Sequence, residues 1–240
     1  MTPAARYAIY LAPPPHSALW RFGSETIGRD AASNAQASSF ALAGIDAQAW
    51  RGMTVEPRRY GFHATIKAPF RLSETESLDG LCEAAAELAA AQTPFDLGPL
   101  QVSTLPAGAD RAFVAITPVA RSAALDRLES VVVRGLDRFR APLTAGERAR
   151  RNPDRLTVRQ RDMLERWGYP YALDEFRAHF TLTDAIVDSS TIASALTREF
   201  TARVAPPQLA VDALVLFAQP EGGGDFTILH RFPLGAPSTI

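Results

Sequence analysis

The sequence predicts an α+β protein, bilobal and built by internal duplication. Two observations carry that expectation. The order strand–helix–strand–strand occurs twice, and the tripeptide His-x-Thr lies on the opening strand each time, as His63-Ala64-Thr65 and His179-Phe180-Thr181, 116 residues apart. With 240 residues, 47% of them hydrophobic, the chain can bury one large core or two lobes that share one. A pseudo-twofold between the repeats would set the motifs across a central cleft. The expected organisation is a single bilobal domain over residues 1–240. One lobe, at about 55–120, carries the first motif, another, at about 172–240, carries the second, and a helical, arginine-rich connection at about 121–171 joins them.

Residues 6–12 alternate and are rich in β-formers, so they read as a strand, which Pro13-Pro14-Pro15 ends. The stretch 16–50 is small, polar and weakly periodic, with helical segments near 17–22 and 47–53 and no assignment around Gly28-Arg29-Asp30. The first repeat then runs as a strand at about 62–68, a Leu- and Ala-rich helix at about 75–91, and strands near 100–105 and 112–117. An amphipathic helix at 122–139 puts Leu125, Leu128, Val132, Leu136 and Phe139 on one side. The arginine-rich stretch 147–161, broken at Asn152-Pro153, is either a solvated face or a contributor to anion recognition. A helix at 157–167 ends at Gly168. The second repeat has a strand at about 179–186, a helix to about Val204 capped from Ser189-Ser190-Thr191, and strands near 209–218 and 225–232 around Glu221-Gly222-Gly223-Gly224.

Composition narrows the function. A formal net charge of -1 argues against a bulk nucleic-acid coat, while leaving room for a local basic cleft. The one cysteine, Cys82, cannot form an internal disulfide and reads as a small core residue in a helical setting rather than a nucleophile. No apolar run approaches the roughly 20 residues of a membrane span, and residues 1–6 lack the layout of a secretory leader. A cytoplasmic protein with no membrane partner is expected. His-x-His, cysteine clusters and His-Glu-x-x-His are all missing, so no metal site is expected; nor is there a Gly-x-x-x-x-Gly-Lys-Ser/Thr loop or a Gly-x-Ser-x-Gly elbow. No cofactor is expected.

The motifs carry the chemistry. Residues i and i+2 of a strand share a face, so each His-x-Thr sets an imidazole beside a hydroxyl. Two facing pairs give two histidines and two hydroxyl donors around one small anion, which suits acid/base chemistry on a phosphodiester. The plainer alternative is a pair of half-buried strand histidines satisfied by neighbouring hydroxyls. Both motifs are flanked by cations, Lys67 and Arg177, which face the cleft if their strands stay regular and otherwise form rim salt bridges.

The segments Arg6-Tyr7-Ala8-Ile9-Tyr10-Leu11-Ala12-Pro13-Pro14, Leu19-Trp20, Gly28-Arg29-Asp30, Tyr60-Gly61-Phe62-His63-Ala64-Thr65-Ile66-Lys67-Ala68-Pro69-Phe70 and Phe176-Arg177-Ala178-His179-Phe180-Thr181-Leu182-Thr183 carry a resemblance. The chain resembles the two-histidine phosphoesterase superfamily, which includes RNA 2′,3′-cyclic phosphodiesterases, and within it the branch found with phosphonate-utilisation genes in proteobacteria. The resemblance implies two antiparallel sheets facing each other across a cleft with helices outside. It also implies metal-independent chemistry at a phosphodiester, with His63, Thr65, His179 and Thr181 in the four catalytic places. It adds Arg29 as a phosphate contact. Tyr60, Tyr7 and Tyr171 are candidates for stacking on a base or bonding a sugar, with a core role the equal alternative for each. The expected activity is hydrolysis of a small ribosyl or nucleotide cyclic phosphate by a monomer. A sugar cyclic phosphate formed during carbon–phosphorus cleavage would fit the phosphonate setting. The near-neutral charge disfavours long RNA. The rivals are an RNA 2′,3′-cyclic phosphodiesterase or ligase, and a non-catalytic module that binds a nucleotide or phosphonate metabolite.

Overall fold

The computed structural model describes residues 4–37, 42 and 44–235. Strand β1 (Ala4–Leu11) is followed by helix α1 (Ala18–Ile27), started by the Ser17 side chain and ended by left-handed Gly28. A small ribbon, β2 (Arg29–Asp30) and β3 (Ala35–Gln36), occupies the segment that periodicity left unassigned. Two short helices, α2 (Ala47–Gly52) and α3 (Val55–Tyr60), lead into β4 (Ala64–Phe70), the strand of the first motif. Then come α4 (Leu78–Ala90), β5 (Phe95–Pro106) and β6 (Ala112–Pro118). The connection holds α5 (Ala123–Gly135), α6 (Ala145–Ala149) and α7 (Val158–Trp167), the last two begun by capping boxes from Thr144 and Thr157. The second repeat runs β7 (Phe180–Thr181), α8 (Ser189–Arg203), β8 (Gln208–Val211), β9 (Ala213–Pro220) and β10 (Thr227–Pro233).

These strands build an eight-stranded antiparallel sheet in the order β10-β9-β1-β4-β7-β6-β5-β8. It divides into two four-stranded halves, which meet along β4 and β7 at the pair Ala64↔Phe180. The expected two sheets are thus the halves of one ladder. The expected lobes at about 55–120 and 172–240 do not match those halves. The β5–β6 hairpin that follows the first motif pairs with β7 of the second, while the β9–β10 hairpin that follows the second motif joins β1 and, through it, β4. Helix α4 hands the chain directly to the opposite half, whereas α8 leads to β8 on its own half and the chain crosses only at Asp212. Local alternation marks a strand but does not choose its partner.

Other boundaries move for local reasons. The expected strand at 179–186 shrinks to two residues because the Leu182 and Thr183 amides both donate to the Val114 carbonyl, and the Thr183 hydroxyl accepts the Val114 amide in place of a main-chain partner. The expected strand at 209–218 splits at Asp212, sending β8 to β5 and β9 to β1. Helix α8 begins at Ser189, preceded by Asp188, with no side-chain cap bond. Helix α4 lies over β9 and β10, α8 over β5 and β6, and α5 against β4. Between them is one continuous hydrophobic cluster, which includes partly buried Cys82. Its centre sets Phe62 against Phe180, ring centroids 5.3 Å apart and both fully buried. Gly23 of α1 makes room for that pair, since a Cβ there would lie 2.2 Å from the Phe62 ring. Among the described residues no helix is long and apolar enough to cross a membrane.

Candidate active site

The junction of the two half-sheets sets the site. Ala64 pairs with Phe180, and both side chains are fully buried. Their neighbours His63, Thr65, His179 and Thr181 are half-buried and project to the other face. Extending the antiparallel register by one residue sets His63 beside Thr181 and Thr65 beside His179. The two motifs therefore meet as a compact rectangle with the histidines on one diagonal and the threonines on the other.

Both imidazoles are oriented in the same way. Nδ1 of His63 lies 2.9 Å from the Gly61 carbonyl oxygen, and Nδ1 of His179 lies 2.7 Å from that of Arg177. A carbonyl only accepts, so Nδ1 carries the proton in each ring and Nε2 is the free base of the neutral form. Nε2 of His63 accepts from the Thr65 hydroxyl at 3.3 Å. His63 stacks on Tyr10, ring centroids 3.6 Å apart. Burial pushes the His63 pKa down to about 4, with His179 adding to the shift and the Gly61 carbonyl opposing it. Burial also lowers the His179 pKa, against the pull of its own carbonyl partner. Both rings are thus neutral near neutral pH.

Local sequence explains this placement. Gly61 adopts φ +79°, and a side chain there would collide with Ala31, Cβ to Cβ 2.6 Å. Asp184, just past the second motif, accepts the Val55 and Glu56 amides at 3.0 and 3.1 Å, and so caps the helix that leads to His63. A cavity of about 240 Å³ lies over the His63, Thr65 and Thr181 corners of the rectangle. His63, Thr65 and Thr181 line it together with Tyr10, Tyr60, Phe113, Tyr169, Glu56, Asp184 and Arg151. His179 faces a neighbouring groove, lined also by Phe176, Arg177 and Arg121.

Of the other residues expected at the site, Tyr60 lines the cavity. The rest do not. Lys67 is 3% exposed and points away, its Nζ donating to Asp137 Oδ1 at 2.9 Å and to the Val133 carbonyl at 3.1 Å. The cause is a β-bulge. Tyr10 pairs with Thr65 but Ile9 pairs with Lys67, so Ile66 is an extra residue and the alternation inverts after it. Arg29, 4% exposed, is a structural clamp. Its guanidinium donates to the carbonyls of Arg58, Arg59 and Phe226 and to the Asn34 side chain, at 2.6–3.2 Å. It thereby fixes the turn whose Gly61 carbonyl orients His63. Tyr7 is buried on the α4 side, near Cys82. Tyr171 is exposed and meets the edge of Tyr169. Arg177 is exposed, its guanidinium on the Asp174 and Phe176 carbonyls.

The sequence reading did not single out Arg151, Tyr169, Tyr10 or Asp184. Arg151 lay within the arginine-rich stretch, but nothing in its composition distinguished it from its neighbours. Tyr10 lies on a strand that alternation marks, but alternation does not reveal that this strand pairs with β4.

A solved phosphoesterase structure is 16% identical, covering 98% of this chain and 100% of that one at a TM-score of 0.42. E. coli LigT complexed with 3′-AMP is 16% identical with the same coverage at a TM-score of 0.44. Among curated proteins, ribose 1,5-bisphosphate phosphokinase PhnN of Janthinobacterium sp. (strain Marseille) is 36% identical over 236 residues, 95% of this chain and 50% of that protein. The protein of the same name from Laribacter hongkongensis (strain HLHK9) is 35% identical over 231 residues, 93% of this chain and 50% of that protein. The chain spans about half the length of the curated relatives it matches. A family model described as "Protein of unknown function (DUF1045)" matches residues 65–227, well over half of the chain, and the protein belongs to that family.

Proposed function

We propose that the protein is a metal-independent phosphodiesterase that hydrolyses a small cyclic phosphate on a ribosyl or nucleotide unit. The observation that carries this reading is the rectangle of His63, Thr65, His179 and Thr181 with both Nδ1 atoms anchored on main-chain carbonyls. Such anchoring fixes the tautomer and leaves two Nε2 atoms for proton transfer. His63, with the pKa near 4, is the neutral base. It takes a proton from water as the water oxygen attacks phosphorus. His179, drawn back up by the bound phosphate charge, gives its Nε2 proton to the ester oxygen whose bond to phosphorus breaks. One water is added and the cyclic diester becomes a monoester. The Thr65 hydroxyl turns its one proton from His63 Nε2 to the substrate, which frees that nitrogen as base, and with Thr181 it donates to the non-bridging oxygens, where charge builds up.

The cavity supports a small substrate. At about 240 Å³ it falls below the roughly 300–1,000 Å³ usual for drug-sized ligands, and its tyrosines suit the faces of a sugar. The name of these relatives, ribose 1,5-bisphosphate phosphokinase, points to phosphorylated ribose as the chemistry around such proteins. The kinase activity is not carried over, because this chain has no phosphate-binding Gly-x-x-x-x-Gly-Lys-Ser/Thr loop. The resemblance to the phosphonate-associated branch makes a ribosyl cyclic phosphate from carbon–phosphorus cleavage the first substrate to try.

Phosphorus NMR in chelator tests the reading. The panel holds ribose 1,2-cyclic phosphate derivatives, nucleoside 2′,3′-cyclic phosphates and an RNA with a cyclic end. Conversion of a small cyclic phosphate supports the proposal. Conversion of the RNA end alone would replace it with RNA-end chemistry, and binding without product would make the protein a sensor.

A further inference from the structure

We propose that Arg151, delivered by the turn after α6, is the anion-binding residue of the catalytic cavity. The proposal deepens the phosphodiesterase reading and rests on it for the identity of the site. Arg151 lines the same cavity as His63, Thr65 and Thr181. Its guanidinium lies over the ring of Tyr169, 5.2 Å from the centroid. An aromatic face holds a cation without using its N–H donors, so those donors stay available to a ligand. No carboxylate pairs with Arg151 among the described residues.

The other cations nearby are committed. Lys67 is on Asp137, Arg29 and Arg58 are on carbonyls, and Arg59 is on Glu56 and the Gly224 carbonyl. Within the arginine-rich stretch, Arg148 pairs with Glu165 and Arg159 with Asp174.

The segment is also built to hold Arg151 still. Glu147 accepts the fork of Arg71 at 3.1 and 3.2 Å and closes the Thr144 capping box, which pins the start of α6. Asn152, left-handed at φ +46°, turns the chain directly after Arg151. A second observation points to a ligand. The Tyr10 hydroxyl, fully buried and belonging to a residue that lines this cavity, has no hydrogen-bond partner among the described residues. The Tyr10 ring lies on His63, and the charge of Arg151 is felt at Tyr10. An anion held by Arg151 therefore sits within reach of the His63 face. The Tyr10 hydroxyl would supply a further donor.

Binding of inorganic phosphate, followed by calorimetry at low ionic strength, tests this without requiring turnover. Wild type should bind phosphate and Arg151→Met should bind it about tenfold to a hundredfold more weakly, the range of a lost charged hydrogen bond. Arg150→Met, one residue away on an exposed side chain, should bind as wild type. Wild-type phosphate binding is read whether or not any cyclic phosphate is turned over, so failure of the phosphodiesterase reading would show separately. Wild type that fails to bind phosphate, Arg151→Met that binds undiminished, or Arg150→Met that loses as much as Arg151→Met would each overturn the proposal. Circular dichroism of the folded variants accompanies the titrations, and Arg151→Lys, which keeps the charge, should fall between wild type and Met.

Discussion

Glu129 of α5 is buried at 1% exposure. Its Oε1 accepts the Leu173 amide at 2.9 Å, and its Oε2 has no partner among the described residues. Leu173 is itself left-handed at φ +57° and opens the segment that leads to His179, so this carboxyl braces the second motif from behind. Burial pushes the Glu129 pKa from 4.5 up to about 7, with the Leu173 amide pulling the other way. Unfolded, the group releases its proton near 4.5, whereas the folded protein keeps it to about 7. In that window the folded state binds more protons, so stability is full below the unfolded value and falls as pH rises toward 7. At about 1.36 kcal/mol for each tenfold change in proton affinity, the loss between about pH 5 and about pH 8 comes to roughly 2–3 kcal/mol. Glu129→Gln keeps an acceptor for Leu173 and removes the titration. Urea unfolding of both proteins at the two pH values gives the difference directly. The midpoint of Glu129→Gln should gain on wild type by about 1 M at the higher pH, given slopes of roughly 1–3 kcal/mol per M. Parallel pH dependences of the two proteins would refute a buried, proton-holding Glu129.

Three further outcomes follow from the same geometry. Gly23→Ala puts a methyl 2.2 Å from the Phe62 ring; it should cost about 1–3 kcal/mol of stability by overpacking, seen as a lower Tm, and should reduce turnover because Phe62 adjoins His63. Lys67→Met should destabilise by about 1–3 kcal/mol, less than the 3–5 kcal/mol of a stranded buried charge, because Asp137 keeps both Arg140 bonds at 2.8 and 3.0 Å. Its KM should stay at the wild-type value, and a raised KM in a folded variant would return Lys67 to the substrate. The pH profile of kcat/KM should be acidic, rising as His63 loses its proton near 4 and falling as His179 loses its own below the ordinary 6.5. An optimum above pH 7 would contradict those burial effects.

The paired motifs were legible because i and i+2 share a strand face whatever the partner strands are. That was enough to set His63, Thr65, His179 and Thr181 on one face where β4 and β7 pair. Lys67 was misplaced by the same rule, because one extra residue at Ile66 inverts the alternation and no local pattern announces it. Arg29 looked like a phosphate contact, but it satisfies a cluster of main-chain carbonyls that come together only once Arg58, Arg59 and Phe226 are in place. The elements themselves were read nearly in full, including the Gly168 end of α7 and the glycine turn before β10. Their pairing was not, since each hairpin crosses to the half opposite its own motif. Arg151 could not be told from its neighbours, because its selection depends on where the turn at Asn152 points it.

If the two motifs act as one acid/base site, both histidines are needed for turnover. The most direct test is turnover of the best small cyclic phosphate from the panel by wild type, His63→Ala and His179→Ala in chelator, with ligand binding measured alongside. Wild type should hydrolyse it in chelator, and each variant should lose about 10²–10⁴ in rate while still binding the ligand. Hydrolysis that persists in either variant, or that vanishes from wild type with chelator, would contradict this.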